Sequence, residues 1–285
     1  MAAATPTSAE NQDAMLRKTT FQAFARLLFG IGLAIVALYA YLYLAQGSIV
    51  FQPTALADDY EFQIPVPFEE VNIPVDGALI NAIHFRQEDP QGLIFFLHGN
   101  GGNLQSWSAN ADYYRRVNYD VLMIDYRGYG KSSGKIESEQ QLHDDVRAAW
   151  DYIAGRFEGK PIVIYGRSLG TAPATRLARD VNPDLLVLVS PFSSVLALAR
   201  EQYKFVPEWL VRFPLRTDRV IGEVAAPIML LHGDRDSLIA LQHSLTLEAL
   251  AGGNARLVTI EGAGHDDIHL FDKYVDTLTD SLPRR

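Results

Sequence analysis

The chain has 285 residues, a formal net charge of −9 and no cysteine. The acidic balance argues against a nucleic-acid partner, because a protein that binds phosphates presents a basic face. The lack of cysteine excludes disulfides, thiolate metal sites and a cysteine nucleophile. Once an apolar N-terminal stretch is set aside, roughly 230 residues remain, which is enough for one domain with a sizeable core.

A long uncharged stretch near the N-terminus predicts a membrane-spanning helix. Arg26 is the last charged residue before Asp58, and residues 27–47 are about long enough to cross a bilayer core. Basic residues flank this stretch only on its N-terminal side. We therefore expect a single-pass signal-anchor with a cytoplasmic tail over residues 1–26 and an exported remainder, whether periplasmic, lumenal or extracellular.

Two other interpretations of this stretch stay open. It could be a buried core helix, although soluble helices rarely lack a polar face over such a length. It could be a cleaved signal peptide, since Ala55-Leu56-Ala57 resembles a cleavage site, although the apolar stretch is long for that role. Residues 48–67 are punctuated by proline and are predicted to be a linker.

Residues 68–285 are predicted to form one α/β domain. Apolar runs predict strands at residues 68–75, 78–85, 93–97, 121–125, 162–165, 185–189, 227–231 and 256–260. Helices are predicted between them, among them residues 106–117, 138–155, 241–250 and 267–282. This alternation predicts a mostly parallel sheet covered by helices on both faces, with a hairpin around Asp76-Gly77 adding antiparallel strands at its edge.

The stretch KPIVIYGRSLGTAPATRLAR, residues 160–179, carries the strongest chemical signal. An apolar strand leads into Gly166-Arg167-Ser168-Leu169-Gly170, and a helix follows. A serine on so sharp a turn needs glycine two residues before and after it, because a Cβ at either position would collide with the adjoining strand or helix. The pattern predicts a nucleophile elbow that presents the Ser168 hydroxyl above the sheet. The alternative is that Ser168 is an ordinary turn residue flanked by glycines, with no catalytic role.

Several motifs occur together in an order typical of one superfamily. They are HGNGGN after one strand, DYRGYGKS after the next, GRSLG at the elbow, HGDRD after a late strand and GAGH after the last. From residue 68 onward the chain resembles the α/β-hydrolase superfamily. With its FQP linker it is similar to the N-terminally anchored, small-lid branch that includes lysophospholipases, monoacylglycerol lipases and protein depalmitoylases.

The resemblance implies a Ser-Asp-His triad in that chain order. Asp236 follows the strand PIMLL and His265 follows the strand RLVTI, so both lie at the strand ends where open α/β sheets hold their ligands. His265 would be the base for Ser168, and Asp236 would orient His265.

Other residues compete for two of these roles. Asp234 is the rival carboxylate and is otherwise a turn residue. His243, on the helix 241–250, and His269, on the closing helix, are the rival bases, and we expect both to be surface or packing residues.

An oxyanion hole needs two donors. The amide of Leu169 is expected to be one, and the loop after LIFFL should supply the other, most simply through Asn100. Gly99, Gly101 and Gly102 would let that loop approach the substrate closely.

Residues 191–227 are the predicted short lid. The aromatic residues Phe192, Tyr203 and Trp209 are candidate substrate contacts, and they lie among basic residues, namely Arg200, Lys204, Arg212, Arg216 and Arg219. One interpretation is that these aromatic residues cover the domain core. The other is that they form an acyl-chain groove with a basic rim that faces anionic lipid headgroups.

The sequence therefore predicts a membrane-anchored serine hydrolase of acyl esters or thioesters, with no cofactor and no metal. Lysophospholipid or monoacylglycerol is the first substrate hypothesis and protein S-acyl groups the second. A serine peptidase on the same fold and a non-catalytic binding protein that keeps the fold are the alternatives. The oligomeric state is not indicated by the sequence.

Overall fold

The computed structural model describes residues 8–110, 113, 116–203 and 206–284. The chain divides into two units, Met1–Gln46 and Gly47–Arg285. In the first unit, helix α1 begins at Ser8 and continues to Val50 in the second. Most of the predicted tail is thus helical, and the helix is longer than the predicted span at both ends.

The apolar part of α1 is a candidate membrane span. Within Met15–Val50, an 18-residue stretch has a mean hydropathy of 2.2, and none of that stretch is buried. A core helix of a soluble protein would be covered on at least one face. The fully exposed apolar surface therefore argues against the core-helix interpretation.

The described residues of the second unit form two sheets. The main sheet has eight strands: β2 (Glu69–Val75), β3 (Ala78–Phe85), β4 (Leu93–Leu97), β6 (Asp120–Ile124), β7 (Ile162–Arg167), β8 (Leu185–Val189), β9 (Ile228–Gly233) and β10 (Ala255–Ile260). Their order is β10-β9-β8-β7-β4-β6-β3-β2. Strands β2 and β3 are antiparallel to their neighbours and all others are parallel. A small parallel pair is formed by β1 (Gln52–Pro53) and β5 (Gly101–Gly102).

Helices cover both faces of the main sheet. The α-helices that follow α1 in the described part of the chain include α2 (Leu104–Trp107), α3 (Glu139–Ile153), α4 (Thr171–Val181), α5 (Val195–Gln202), α6 (Thr217–Val220), α7 (Gln242–Leu250) and α8 (Asp272–Ser281). On β4, Phe95 packs edge-on against Trp150 of α3 with ring centroids 5.7 Å apart. Its neighbour Phe96 belongs to the other core cluster, which contains Tyr274 of α8. Because successive strand residues face opposite sides, the unbroken run LIFFL fills both cores.

The predicted fold class is confirmed, and two predicted helices differ from those observed. Asn103 accepts a hydrogen bond from the Gln105 amide and caps α2, so this helix begins earlier than predicted and gives way to a 3-10 turn at Ser108. Residues 111, 112, 114 and 115 of that prediction lie outside the described residues. The predicted closing helix is split into a 3-10 turn, Ile268–Leu270, and α8.

Candidate active site

Ser168 lies at the sharp turn between β7 and α4. Its φ is +49°, a left-handed conformation that a non-glycine residue adopts only when its surroundings enforce it. A Cβ at Gly166 would lie 2.6 Å from the Gly170 carbonyl oxygen, and one at Gly170 would lie 2.2 Å from the Leu97 oxygen. The elbow therefore depends on both glycines, for the steric reason that the motif predicted.

Three side chains that are distant in the sequence meet at this elbow. The His265 Nε2 atom lies 3.1 Å from the Ser168 hydroxyl oxygen. The His265 Nδ1 atom lies 2.7 Å from Asp236 Oδ2. If His265 donates its Nδ1 proton to Asp236, Nε2 is free to accept the Ser168 proton. The structure thus brings the three predicted triad residues into one hydrogen-bonded chain.

The Asp236 carboxylate is held by several donors. Its side chain is fully buried, and Oδ1 accepts hydrogen bonds from the amides of Leu238 (2.9 Å) and Ile239 (2.8 Å). Burial by itself raises the pKa of Asp236, but hydrogen bonds from His232, His265 and the Ile239 amide outweigh it and hold the pKa well below its usual value. Asp236 is consequently ionised at neutral pH.

The rival carboxylate and one rival base lie elsewhere. Asp234 is exposed, and its Oδ1 accepts a hydrogen bond from the Gly262 amide at 2.7 Å, as expected of a turn residue. His243 is buried, with Nδ1 2.9 Å from the Ser193 hydroxyl and Nε2 2.9 Å from Glu201 Oε1. These contacts join the start and end of α5 to α7, which is a packing role.

The sequence predicted His269 on the closing helix, but the structure places it outside that helix. It lies in the preceding 3-10 turn and lines the same pocket as Ser168 and His265. Burial lowers its pKa, and the nearby Arg167 guanidinium lowers it further. The helix prediction failed there because Phe271, in an extended conformation, separates the 3-10 turn from α8.

The predicted oxyanion donors both border the nucleophile. A Cβ at Gly99 would lie 3.4 Å from the Ser168 Cβ, so the loop after β4 passes directly over the elbow. Asn100 and Leu169 line one pocket together with Ser168. The Leu169 amide is among the first donors of the turn that begins at Ser168, and such amides have no partner within their own helix.

Two pockets of different character meet at Ser168. One, of about 570 Å³, is lined by polar groups that include Gln52, Ser106 and Asp266. The other, of about 390 Å³, is lined mainly by apolar side chains, among them Ile49, Val50, Phe192, Val195, Leu198 and Leu238. Ser168 therefore stands between a pocket that presents several polar groups and a pocket that is mainly apolar.

The predicted substrate contacts differ in their positions. Phe192 is buried in the core and also lines the apolar pocket, so both interpretations of this residue hold. Tyr203 is 71% exposed and lines the same pocket. Trp209 is 72% exposed and is not among the described residues that line either pocket at Ser168.

Two of the five basic residues in the predicted lid form ion pairs with carboxylates. Arg216 and Arg219 each approach Glu208 Oε1 at 2.9 Å, and Arg216 also pairs with Asp218. Lys204, together with Phe205, lies outside the described residues. The carboxylates of Glu208 and Asp218 therefore offset part of the basic charge of this segment.

Sequence reasoning missed Arg167, which occupies the variable position of the elbow motif. Its Nη2 donates to the carbonyl oxygens of His265 (2.9 Å) and Asp266 (3.2 Å). Its guanidinium also lies over the Trp107 ring, 5.3 Å from the centroid. Arg167 thereby ties the histidine loop to the strand that carries Ser168. Among the described residues, no group of three or more His, Asp or Glu side chains is arranged to hold a metal ion.

Comparison with known proteins identifies relatives of this chain. A family model described as serine aminopeptidase, S33, matches residues 88–221, a range that includes Ser168 and ends before Asp236. Alpha/beta hydrolase domain-containing protein 17B of Xenopus laevis is 33% identical over 195 residues, which cover 65% of this chain and 64% of the relative. Human alpha/beta hydrolase domain-containing protein 17C is 35% identical over 192 residues, covering 65% and 56%. The chain therefore spans less than two thirds of these relatives.

Solved structures show the same fold. An esterase of Pyrococcus furiosus has a TM-score of 0.65 and 18% identity, with 81% of this chain and 96% of that one covered. An alpha-beta serine hydrolase homologue from Coxiella burnetii has a TM-score of 0.60 and 16% identity, with 79% and 100% covered. Identities this low establish the fold alone.

Proposed function

We propose that the chain is a member of the α/β-hydrolase superfamily, and that it is a serine hydrolase that cleaves acyl ester or thioester bonds. The observation that carries the proposal is the hydrogen-bonded chain from Ser168 through His265 to Asp236, with distances of 3.1 and 2.7 Å. A serine hydroxyl is a weak nucleophile at neutral pH, and a hydrogen-bonded imidazole that is oriented by a carboxylate activates it.

In the proposed reaction, Ser168 Oγ attacks the carbonyl carbon while its proton moves to His265 Nε2. The negative charge that develops on the carbonyl oxygen is stabilised by the amides of Leu169 and Asn100. His265 then protonates the leaving alcohol or thiol, and an acyl-enzyme remains on Ser168. Water, activated by His265, hydrolyses that intermediate. The ionised Asp236 stabilises the imidazolium at both stages.

The two pockets support a substrate with an apolar acyl chain and a polar leaving group. The acyl chain would occupy the pocket lined by Phe192, Val195 and Leu198, and the leaving group would occupy the polar pocket beside Gln52 and Asp266. Lysophospholipid or monoacylglycerol fits this division, and a protein S-acyl group is the second candidate.

A membrane location supports the same substrate class. Ile49 and Val50, the last residues of α1, line the apolar pocket. They follow the predicted span, residues 27–47, by two or three residues, so the chain itself keeps this pocket within reach of the end of the span, whatever the orientation of the domain. In the proposal α1 is a retained single-pass anchor and the domain is on the exported side.

Fluorophosphonate labelling of the detergent-solubilised chain tests the proposal. Labelling and turnover of p-nitrophenyl esters should both vanish in Ser168→Ala. The control Ser281→Ala, at the end of α8, should retain both. Wild-type ester turnover by Ser168→Ala would overturn the proposed function, as would a wild-type chain that neither reacts with the probe nor hydrolyses any acyl ester.

A serine peptidase is the second candidate, favoured by the match to the family described as serine aminopeptidase, S33. Such an enzyme needs a carboxylate for the substrate's amino group, and Asp266 is the carboxylate in the polar pocket. Comparing aminoacyl p-nitroanilides with fatty-acyl p-nitroanilides, which share one leaving group, separates the two candidates. Faster cleavage of the aminoacyl substrates would favour the peptidase.

A further inference from the structure

The segment that follows α1, residues 51–56, is built into the catalytic domain as a strap. Phe51 is buried and packs edge-on against Phe213 with ring centroids 5.0 Å apart. After Phe51 the chain continues as β1, which pairs with β5, with Gln52 opposite Gly101 and Pro53 opposite Gly102. β5 belongs to the loop after β4, residues 99–103, which we call the oxyanion loop.

Hydrogen bonds join the strap to two loops at once. The Thr54 amide donates to the Gly102 carbonyl at 3.3 Å, and the Thr54 carbonyl accepts from Asn103 Nδ2 at 2.9 Å. The same carbonyl accepts from the Gly130 amide at 3.1 Å, and the Leu56 amide donates to the Gly130 carbonyl at 2.7 Å. The strap therefore lies between the oxyanion loop and the loop that contains Tyr129 and Gly130.

A closed triangle of polar groups holds Asn100 itself. The Gln52 amide donates to Asn100 Oδ1 at 2.9 Å and also approaches the Tyr129 hydroxyl at 3.1 Å. The Tyr129 hydroxyl donates to Asn100 Oδ1 at 3.2 Å. Burial raises the pKa of Tyr129, so its hydroxyl stays protonated and retains a hydrogen to donate.

The oxyanion loop needs such restraint because its own sequence is permissive. Gly99, Gly101 and Gly102 flank Asn100, and glycine loses more conformational freedom on ordering than any other residue. An oxyanion donor is effective only when it is already aimed at the place where charge develops. The backbone amide of a glycine-rich loop keeps one orientation only when contacts from other segments restrain the loop.

We infer that the strap is a positioning element for the reaction, which fixes the Asn100 amide in the oxyanion hole through the Asn100 side chain, Tyr129 and the Gln52 backbone. The inference rests on the proposed function. It assigns Asn100 two separate tasks: its backbone amide stabilises the transition state, and its side chain holds that amide in place. Residues 51–56, which follow α1, thus contribute to catalysis by positioning the oxyanion loop.

Two side-chain deletions in the full chain test the inference by steady-state kinetics with one acyl ester. Asn100→Ala keeps the backbone amide and removes the tether, so we expect kcat to fall about tenfold or more while KM changes less than about threefold. Tyr129→Phe removes one hydroxyl of the triangle and should lower kcat in the same way by a smaller factor. The double variant should resemble Asn100→Ala, because both deletions act through one tether.

Asn72→Ala is the matched control. Asn72 also accepts a hydrogen bond on its side-chain oxygen, from Asn81 Nδ2 at 3.0 Å, but it lies on the outer strand β2. Its kcat should equal that of the wild type. Thermal unfolding of every variant is recorded in parallel, because a general loss of folding lowers the active fraction and the unfolding temperature together.

The failures of the inference and of the proposed function are distinguishable. Wild-type kcat in Asn100→Ala, or multiplicative losses in the double variant, would overturn the inference while Ser168→Ala remains inactive. If Asn100→Ala raises KM at constant kcat, the side chain binds substrate and does not position the amide, and the inference falls as well. Turnover by Ser168→Ala would remove the proposed function.

Discussion

At the scale of single residues, Gly170 is required by its neighbours and not by its own backbone conformation. Its φ is −62°, which any residue can adopt. A Cβ there would nevertheless lie 2.2 Å from the Leu97 oxygen and 2.6 Å from the His98 oxygen. These are backbone atoms at the end of the central strand β4, so neither can move without disturbing the sheet.

Gly170→Ala is therefore expected to lower the free energy of unfolding by more than about 2 kcal/mol, as overpacking against fixed atoms does. Urea unfolding of the detergent-solubilised chain measures this. The control is Gly155→Ala, where nothing lies within 4 Å of the added Cβ, and its effect should stay within about 1 kcal/mol. Equal effects at the two glycines would contradict the steric argument.

Asp236 makes stability depend on pH. Hydrogen bonds hold its folded pKa below the unfolded value of about 3.9. The carboxylate therefore stabilises the fold above that pH, and the stabilisation is lost as the pH falls from about 4 toward the folded pKa.

Asp236→Asn should consequently be less stable than the wild type at pH 7, and the difference should narrow by about 1 kcal/mol at pH 3. Urea unfolding at both pH values gives the comparison. The control Asp234→Asn changes an exposed carboxyl for which an amide oxygen can still accept the Gly262 hydrogen bond. A difference for Asp236→Asn that is constant between pH 7 and pH 3 would contradict the linkage.

At the scale of elements, helix α5 forms one wall of the apolar pocket. Ser194 caps its start by accepting a hydrogen bond from the Ala197 amide at 3.0 Å. Glu201 in its last turn pairs with His243 of α7 at 2.9 Å. With both ends held, Val195, Leu198 and Ala199 face the pocket from fixed positions.

Ala199→Phe should shorten the acyl chains that the enzyme accepts, because the ring fills space that a long chain would occupy. We expect kcat/KM for long-chain esters to fall about tenfold or more, with short-chain esters nearly unaffected. The control is Ala197→Phe, two residues away and therefore on another face of the helix. An equal loss for all chain lengths would show that the acyl chain does not lie against α5.

At the scale of the whole molecule, the proposed topology has the tail and the catalytic domain on opposite sides of a membrane. Residues 27–47, which lie within the candidate span Met15–Val50, are long enough for one crossing. Its flanking charges predict the direction, with the tail on the cytoplasmic side.

Because the chain has no cysteine, single engineered thiols report this topology without background. Glu158→Cys on the domain should react with a membrane-impermeant maleimide in sealed right-side-out membranes. Thr20→Cys in the tail should react only after the membrane is permeabilised. The reverse pattern would overturn the orientation, and labelling of both sites in the soluble fraction would show that the segment does not span.

Local patterns predicted the sheet closely where strands are buried on both faces. Strands β4 and β8 have the predicted bounds, since a continuous apolar run leaves little doubt about where burial starts and stops. The observed strand boundaries differ from the predicted ones where a polar residue at the strand end has a specific partner. Asp120 belongs to β6 because its backbone pairs with Leu93 of β4, and its buried carboxylate lies 3.0 Å from His84 Nε2 of β3; no local pattern reveals either contact.

The sequence by itself determined the fold class, the elbow glycines and the residues expected to form the triad. Each of these is recorded locally, as a periodicity of burial, a steric requirement of one turn, or a motif directly after a strand. Only the tertiary structure decided that Asp236 and not Asp234 lies against His265, that two pockets of different character meet at Ser168, and that residues 52 and 53 pair with residues 101 and 102 in the loop after β4. These features depend on distances between segments far apart in the chain, which are set by how the strands pack and the loops close, and no local pattern encodes those distances.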